Sequence, residues 1–128
     1  MIMANQIVAS SKPSRQRKSY YDKPLHVSYK EFSMHLSRDL RKEVGRRSLE
    51  GRKGDTVKVM RGNKNVNGKQ GKITGILRPK RMVFVEGIVR KKTDGTEKPV
   101  PLRPSNLLLV AIDTKDERRI TSKAKKVN

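Results

Sequence analysis

Residues 54–76 read GDTVKVMRGNKNVNGKQGKITGI. Val57 and Val59 alternate with Thr56, Lys58 and Met60, the period of two that a half-buried strand requires. Gly62, Gly68 and Gly71 then interrupt the pattern around Lys64 and Lys69, and alternation resumes at Lys72, Ile73 and Thr74. The stretch predicts strand, cationic glycine-rich loop, strand. Such a unit suits a polyanion, with lysines meeting the charge and glycines letting the backbone come close.

The rest of the chain sets the frame for that unit. It has 128 residues and a net charge of +20, with 33% hydrophobic and 34% charged residues. That is too little apolar material to bury every residue in one core, so a small globular centre with charged extensions is expected. Self-repulsion at this charge calls for a dense polyanionic partner, with nucleic acid ahead of an anionic membrane. The absence of cysteine excludes disulfides and thiolate metal sites. No apolar run approaches the roughly 20 residues that span a bilayer. The start, MIMANQIVAS, lacks the basic region and apolar run of a secretory signal.

Along the chain, residues 1–24 form a basic arm carrying Lys12, Arg15, Arg17 and Lys18, expected to be extended and without order of its own. Tyr20, Tyr21 and His26 follow. Rings beside cations can stack on bases, or they can anchor the arm to the domain's own surface. Residues 25–50 form an extension with a short helix at Ser37 to Val44. Ser37 can cap it, Asp39 suits its first turn, Leu36, Leu40 and Val44 make a stripe, and Gly45 can end it in the left-handed conformation.

Residues 51–112 read as the core. Strands are expected at Thr56–Met60, Gln70–Leu77, Arg81–Glu86, Ile88–Lys92 and Lys98–Leu102, with Leu107 to Ile112 closing the domain. In the third, Met82, Val83, Phe84 and Val85 leave the inward face open. Asp94-Gly95 signals a hairpin, and Pro99, Pro101 and Pro104 confine the returning arm to an edge. Short strands at this spacing point to a small barrel. Residues 113–128 read as a charged tail that can hold a weak helical turn.

Enzyme and cofactor chemistry find no support. His26 and His35 stand nine residues apart with no acid pair or cysteine to complete a metal site. Gly62 to Lys69 differs from a phosphate-binding P-loop in spacing, and Gln70 stands where a Ser or Thr is needed. Gly68-Lys69-Gln70-Gly71 matches the bare GxxG of a KH loop, but that loop joins two helices. No catalytic residue, metal or cofactor is expected.

Residues 54–76 resemble a KOW motif, a strand–loop–strand element of SH3-like barrels with a central glycine, here Gly71. Further matches keep their order along the chain: Lys12-Pro13 to Arg17-Lys18, Pro24-Leu25-His26, Leu36-Ser37 through Leu40-Arg41, Gly45-Arg46-Arg47-Ser48-Leu49, Arg52-Lys53-Gly54-Asp55-Thr56-Val57, Val85-Glu86-Gly87, Arg90-Lys91-Lys92 with Asp94-Gly95-Thr96-Glu97, and Pro104-Ser105-Asn106. Together, over roughly residues 10–112, they resemble the archaeal and eukaryotic form of the large-subunit ribosomal protein family numbered twenty-four (twenty-six in the older eukaryotic series). The loop between Gly62 and Gly68 is longer than the family's usual one, with Asn67-Gly68 in place of Lys-Gly. Loops tolerate insertion.

The resemblance implies a mainly β, SH3-like (KOW) barrel protein and a structural, non-enzymatic role in the large ribosomal subunit of the cytoplasm. It implies binding to the 5′ region of the large rRNA, early assembly, a place near the polypeptide exit tunnel, and neighbouring ribosomal proteins as partners. A membrane, a small-molecule substrate and a homo-oligomer are not expected. The residues expected to neutralise phosphates are Lys12, Arg15, Arg17 and Lys18; Arg46, Arg47, Arg52 and Lys53; Arg61, Lys64, Lys69 and Lys72; and Arg90, Lys91 and Lys92. Gly54, Gly62, Gly68 and Gly71 supply the turns. Two alternatives stand beside this reading: a KOW module of a transcription elongation factor, and a general nucleic-acid-compacting protein.

Overall fold

The computed structural model describes residues 10–113, 115–116 and 118–121. Its elements in order are helices α1 (Pro13–Asp22) and α2 (Leu25–Ser28), a 3-10 turn at Tyr29–Phe32, strand β1 (Ser33–Leu36), helix α3 (Arg38–Val44) and strand β2 (Ser48–Glu50). Strands β3 (Thr56–Val59), β4 (Gln70–Leu77), β5 (Met82–Val85), β6 (Val89–Lys91) and β7 (Glu97–Pro99) follow, then a 3-10 turn at Pro104–Asn106, strand β8 (Leu107–Ala111) and helix α4 (Arg118–Thr121). Six strands form one sheet in the order β2-β1-β8-β3-β4-β5, and β6 and β7 form a separate hairpin. All pairings are antiparallel except β1 with β8, which is parallel. The fold is therefore mainly β with a mixed sheet. Among the described residues no ladder joins β2 to β5.

Alternation builds the core. Val57 and Val59 of β3, Val83 and Val85 of β5, and Leu107 and Leu109 of β8 all turn inward. The open question in β5 is thereby settled, with Met82 and Phe84 half-buried on the other face. Met34 and Leu36 of β1 are fully buried against them, beside Phe32, Ile73 and Ile88. Removing one large aliphatic side chain from such a close-packed interior costs about 2–5 kcal/mol.

Local chemistry explains the turns. The Ser37 hydroxyl accepts from the Leu40 N–H, and Gly45, at φ 64°, ends α3 with its N–H on the Arg41 carbonyl, as its sequence predicts. In the hairpin, Lys92 N–H donates to Thr96 O and Gly95 adopts φ 78°. Gly71 sits where β4 meets the end of β5: a Cβ there would lie 2.5 Å from the Glu86 carbonyl oxygen. No side chain fits that gap, so the central glycine of the motif is a packing requirement.

Two expectations are corrected. The basic arm is not extended over residues 13–22: it is helical. Pro13 occupies the first turn, where its missing N–H costs nothing, and Arg15, Gln16, Arg17 and Lys18 are good helix formers. The helix escapes a search for periodic apolar residues because none of its residues is buried. The extension of residues 25–50 is not peripheral, since Ser33–Leu36 and Ser48–Glu50 are strands of the main sheet. The charged tail beginning at Asp113 carries one short helical turn, Arg118–Thr121, and also reaches the core. Arg119 lies 7% exposed and reaches the fully buried Asp55.

Candidate nucleic-acid interface

The basic residues singled out in the sequence fall on four parts of the surface. On α1, Arg15, Arg17 and Lys18 are exposed, with Lys12 at the helix start. The C-terminal end of the helix is pinned to the sheet domain by Tyr20. The Arg81 guanidinium lies 3.7 Å from the Tyr20 ring centroid and donates to the Tyr20 carbonyl. Glu31 bridges the junction, 2.8 Å from Lys23 Nζ and 3.6 Å from Arg81 Nε. Tyr20 thus acts as the anchor of α1. Tyr21 meets it edge-on at 5.4 Å and remains 75% exposed, and His26 is exposed.

After α3 come Arg46, half-exposed, and Arg47, exposed. Arg52 and Lys53 precede β3, and Gly54 turns there at φ 99°. Arg52 is held by Asp116 at 2.7 Å, and that hydrogen bond keeps the Asp116 carboxyl below its ordinary value. Beneath them lies the Asp55 carboxylate. It accepts from Arg52 N–H at 2.8 Å, from Asp113 N–H at 3.0 Å and from both terminal nitrogens of Arg119. Arg119 Nη2 also donates to the Glu50 carbonyl at 2.6 Å, on the outer strand of the sheet. Two backbone donors and a bidentate guanidinium satisfy the buried charge. Sequence reading missed this node because its partners are 64 residues apart.

The loop between β3 and β4 presents Arg61, Lys64, Lys69 and, on β4, Lys72, all exposed. Its backbone is turned inward. Val66 and Asn67 N–H donate to Asn63 O, Gly68 N–H to Val59 O and Lys69 N–H to Val66 O. Val66 packs against the core. Gly68 makes its turn at φ 82°, while Gly62 is close to extended. Gly68 therefore serves the turn itself, since a Cβ there would meet nothing within 4 Å, and the loop can meet an anion mainly through its side chains.

On the hairpin, Arg90, Lys91 and Lys92 are exposed. Glu97 sits 3.7 Å from Lys91, whereas Lys98 pairs with Arg90 across the hairpin and its side chain holds the Lys92 pKa below the usual lysine value. Lys30, Arg78 and Arg118 add exposed charge that sequence reading did not select. Among the described residues no cluster of three or more His, Cys, Asp or Glu could hold a metal.

The sequence profile of ribosomal proteins L26 (eukaryotic) and L24P (archaeal) matches residues 10–126. The chain belongs to this family. The match takes in α1 and the sheet, and extends beyond the span traced from motifs only into the C-terminal segment. The family's members are ribosomal structural proteins, not enzymes. Three relatives carry the name large ribosomal subunit protein uL24. That of Korarchaeum cryptofilum is 45% identical over 112 residues, 88% of this chain and 84% of its own. That of Methanosarcina barkeri is 43% identical over 115 residues, covering 90% of this chain and 97% of its own. That of Methanosphaera stadtmanae is 42% identical over 118 residues, covering 92% and 99%.

Proposed function

We propose that this chain is a structural constituent of the large ribosomal subunit, in the cytoplasm, that binds the 5′ region of the large rRNA. In this reading the sheet is the framework of an SH3-like KOW barrel, and α1, the residues around Arg47 and Lys53, the β3–β4 loop and the β6–β7 hairpin are four cationic contacts. They neutralise phosphates and so position the protein, while folded rRNA shape supplies specificity. The protein joins early in assembly and sits near the polypeptide exit tunnel, beside other ribosomal proteins. The observation that supports the reading most is a net charge of +20 over the sequence of a ribosomal-protein family member, with Arg15, Arg17, Lys18, Arg47, Lys53, Lys64, Lys69 and Lys91 all on exposed side chains.

Binding to a large-subunit 5′ rRNA fragment across a salt series tests it. With about 6–10 phosphates contacted, affinity falls roughly 10³–10⁵-fold between 50 and 200 mM salt. Random duplex DNA binds more weakly at each salt concentration. Equal affinity for the two would favour the nucleic-acid-compacting reading instead.

A further inference from the structure

Two clefts adjoin along the outer strand β2. One, of about 460 Å³, lies towards Lys30, Arg46 and Arg118; the other, of about 790 Å³, lies towards His26, Ile76 and Arg78. They share Tyr29, Glu50 and Arg52, so they form one groove. Each volume falls within the roughly 300–1,000 Å³ typical of ligand clefts.

Two features of the groove occur together. Across both clefts seven Lys and Arg side chains line the walls against two acids, Glu50 and Asp116. Lys30, Lys53 and Arg78 have no acidic partner among the described residues. The second feature is apolar: Tyr29, 40% exposed, shares the larger cleft with exposed His26 and the half-buried aliphatic side chain of Ile76. A duplex offers such a groove its phosphates but keeps its bases stacked inside. An acidic peptide would use the cations and leave the rings idle. A flat base joined to phosphates uses both.

We infer that the groove along β2 holds an unpaired rRNA segment, its phosphates at Lys30, Lys53 and Arg78 and a base against Tyr29 and His26. The inference rests on the rRNA-binding reading and adds to it a single-stranded subsite. Stacking and charge contribute separately, so they separate experimentally. Tyr29→Leu weakens rRNA binding about tenfold, with little change in salt slope, because stacking is not ionic. Tyr29→Phe keeps the affinity. The Lys53→Gln/Arg78→Gln double variant lowers the slope by roughly 0.7 per phosphate left without its cation, as expected for single strands.

The test is photocrosslinking of the full chain to large-subunit rRNA carrying 4-thiouridine, alongside these affinities and the thermal transition of each variant. The expected result is adducts on residues 26–30 from unpaired nucleotides, absent in Tyr29→Leu. A Tyr29→Leu variant that binds as tightly as the parent, or a parent chain that binds rRNA but gives no adducts on residues 26–30 from unpaired nucleotides, overturns the groove alone. A parent chain indifferent to rRNA overturns the broader reading with it.

Discussion

Helix α1 and the C-terminal segment are both rich in cations, and they use them in opposite ways. Every residue of α1 stays out of the core, and the helix is tethered through one ring, Tyr20, under the Arg81 guanidinium. The C-terminal segment sends Arg119 inward, where it meets Asp55, at zero exposure, and the carbonyl of Glu50. Charge density does not distinguish them. A buried carboxylate waiting on the sheet does: a cation that finds one becomes part of the fold, and a cation without one is left for a partner.

Breaking the inward contact has the largest expected effect. Arg119→Ala leaves the Asp55 carboxylate buried with only its backbone donors, and stability falls by about 3–5 kcal/mol in denaturant unfolding. A fall under about 1 kcal/mol, the range of an exposed ion pair, would make Arg119 a surface cation like those of α1. Next comes the packing that holds the sheet itself. Gly71→Ala drives a Cβ into the Glu86 carbonyl, and separating β4 from β5 costs about 1–3 kcal/mol by the same measurement. An unchanged midpoint would mean that the strands part freely.

The outward flank is sharpened by removing it. Deleting residues 1–24 strips the ring from Arg81 and costs on the order of 2 kcal/mol, the value of a desolvated cation–π contact. Affinity for rRNA falls at the same time, and the salt slope drops by roughly 0.7–0.9 for each phosphate that α1 no longer neutralises. Full rRNA affinity in the truncated chain would remove α1 from the interface. The smallest effect concerns pH. Asp116 has its folded pKa lowered, first by Arg52, so its contribution is complete above the unfolded carboxyl value of roughly 4 and disappears as pH falls through the folded value. Carboxyl titration by NMR should place Asp116 below the exposed aspartates, and Arg52→Gln should raise it. Asp116→Asn should free Arg52 and steepen the salt slope slightly.

Local signals carried most of the sheet. The alternation at Val57 and Val59, the Ser37 cap, Gly45 and the Asp94-Gly95 turn act over a few residues, so each is legible where it stands. β1 and β2 were not, because four and three residues are too short to show a period. Their strand identity comes from pairing with each other and from the parallel contact of β1 with β8. Helix α1 was hidden for the converse reason: it is built by propensity and Pro13, with no apolar face to announce it. The exposed cations were legible as a class. Their division was not, since nothing near Arg119 marks it as the partner of Asp55, and Tyr20 shows its anchoring role only beside Arg81.

Sedimentation in sucrose gradients tests the central claim most directly. If outward cations hold this chain on ribosomal RNA, it co-migrates with large subunits at low salt and is released as salt rises, while the Arg119–Asp55 node keeps the released chain folded. A chain that stays at the top of the gradient at low salt contradicts the account.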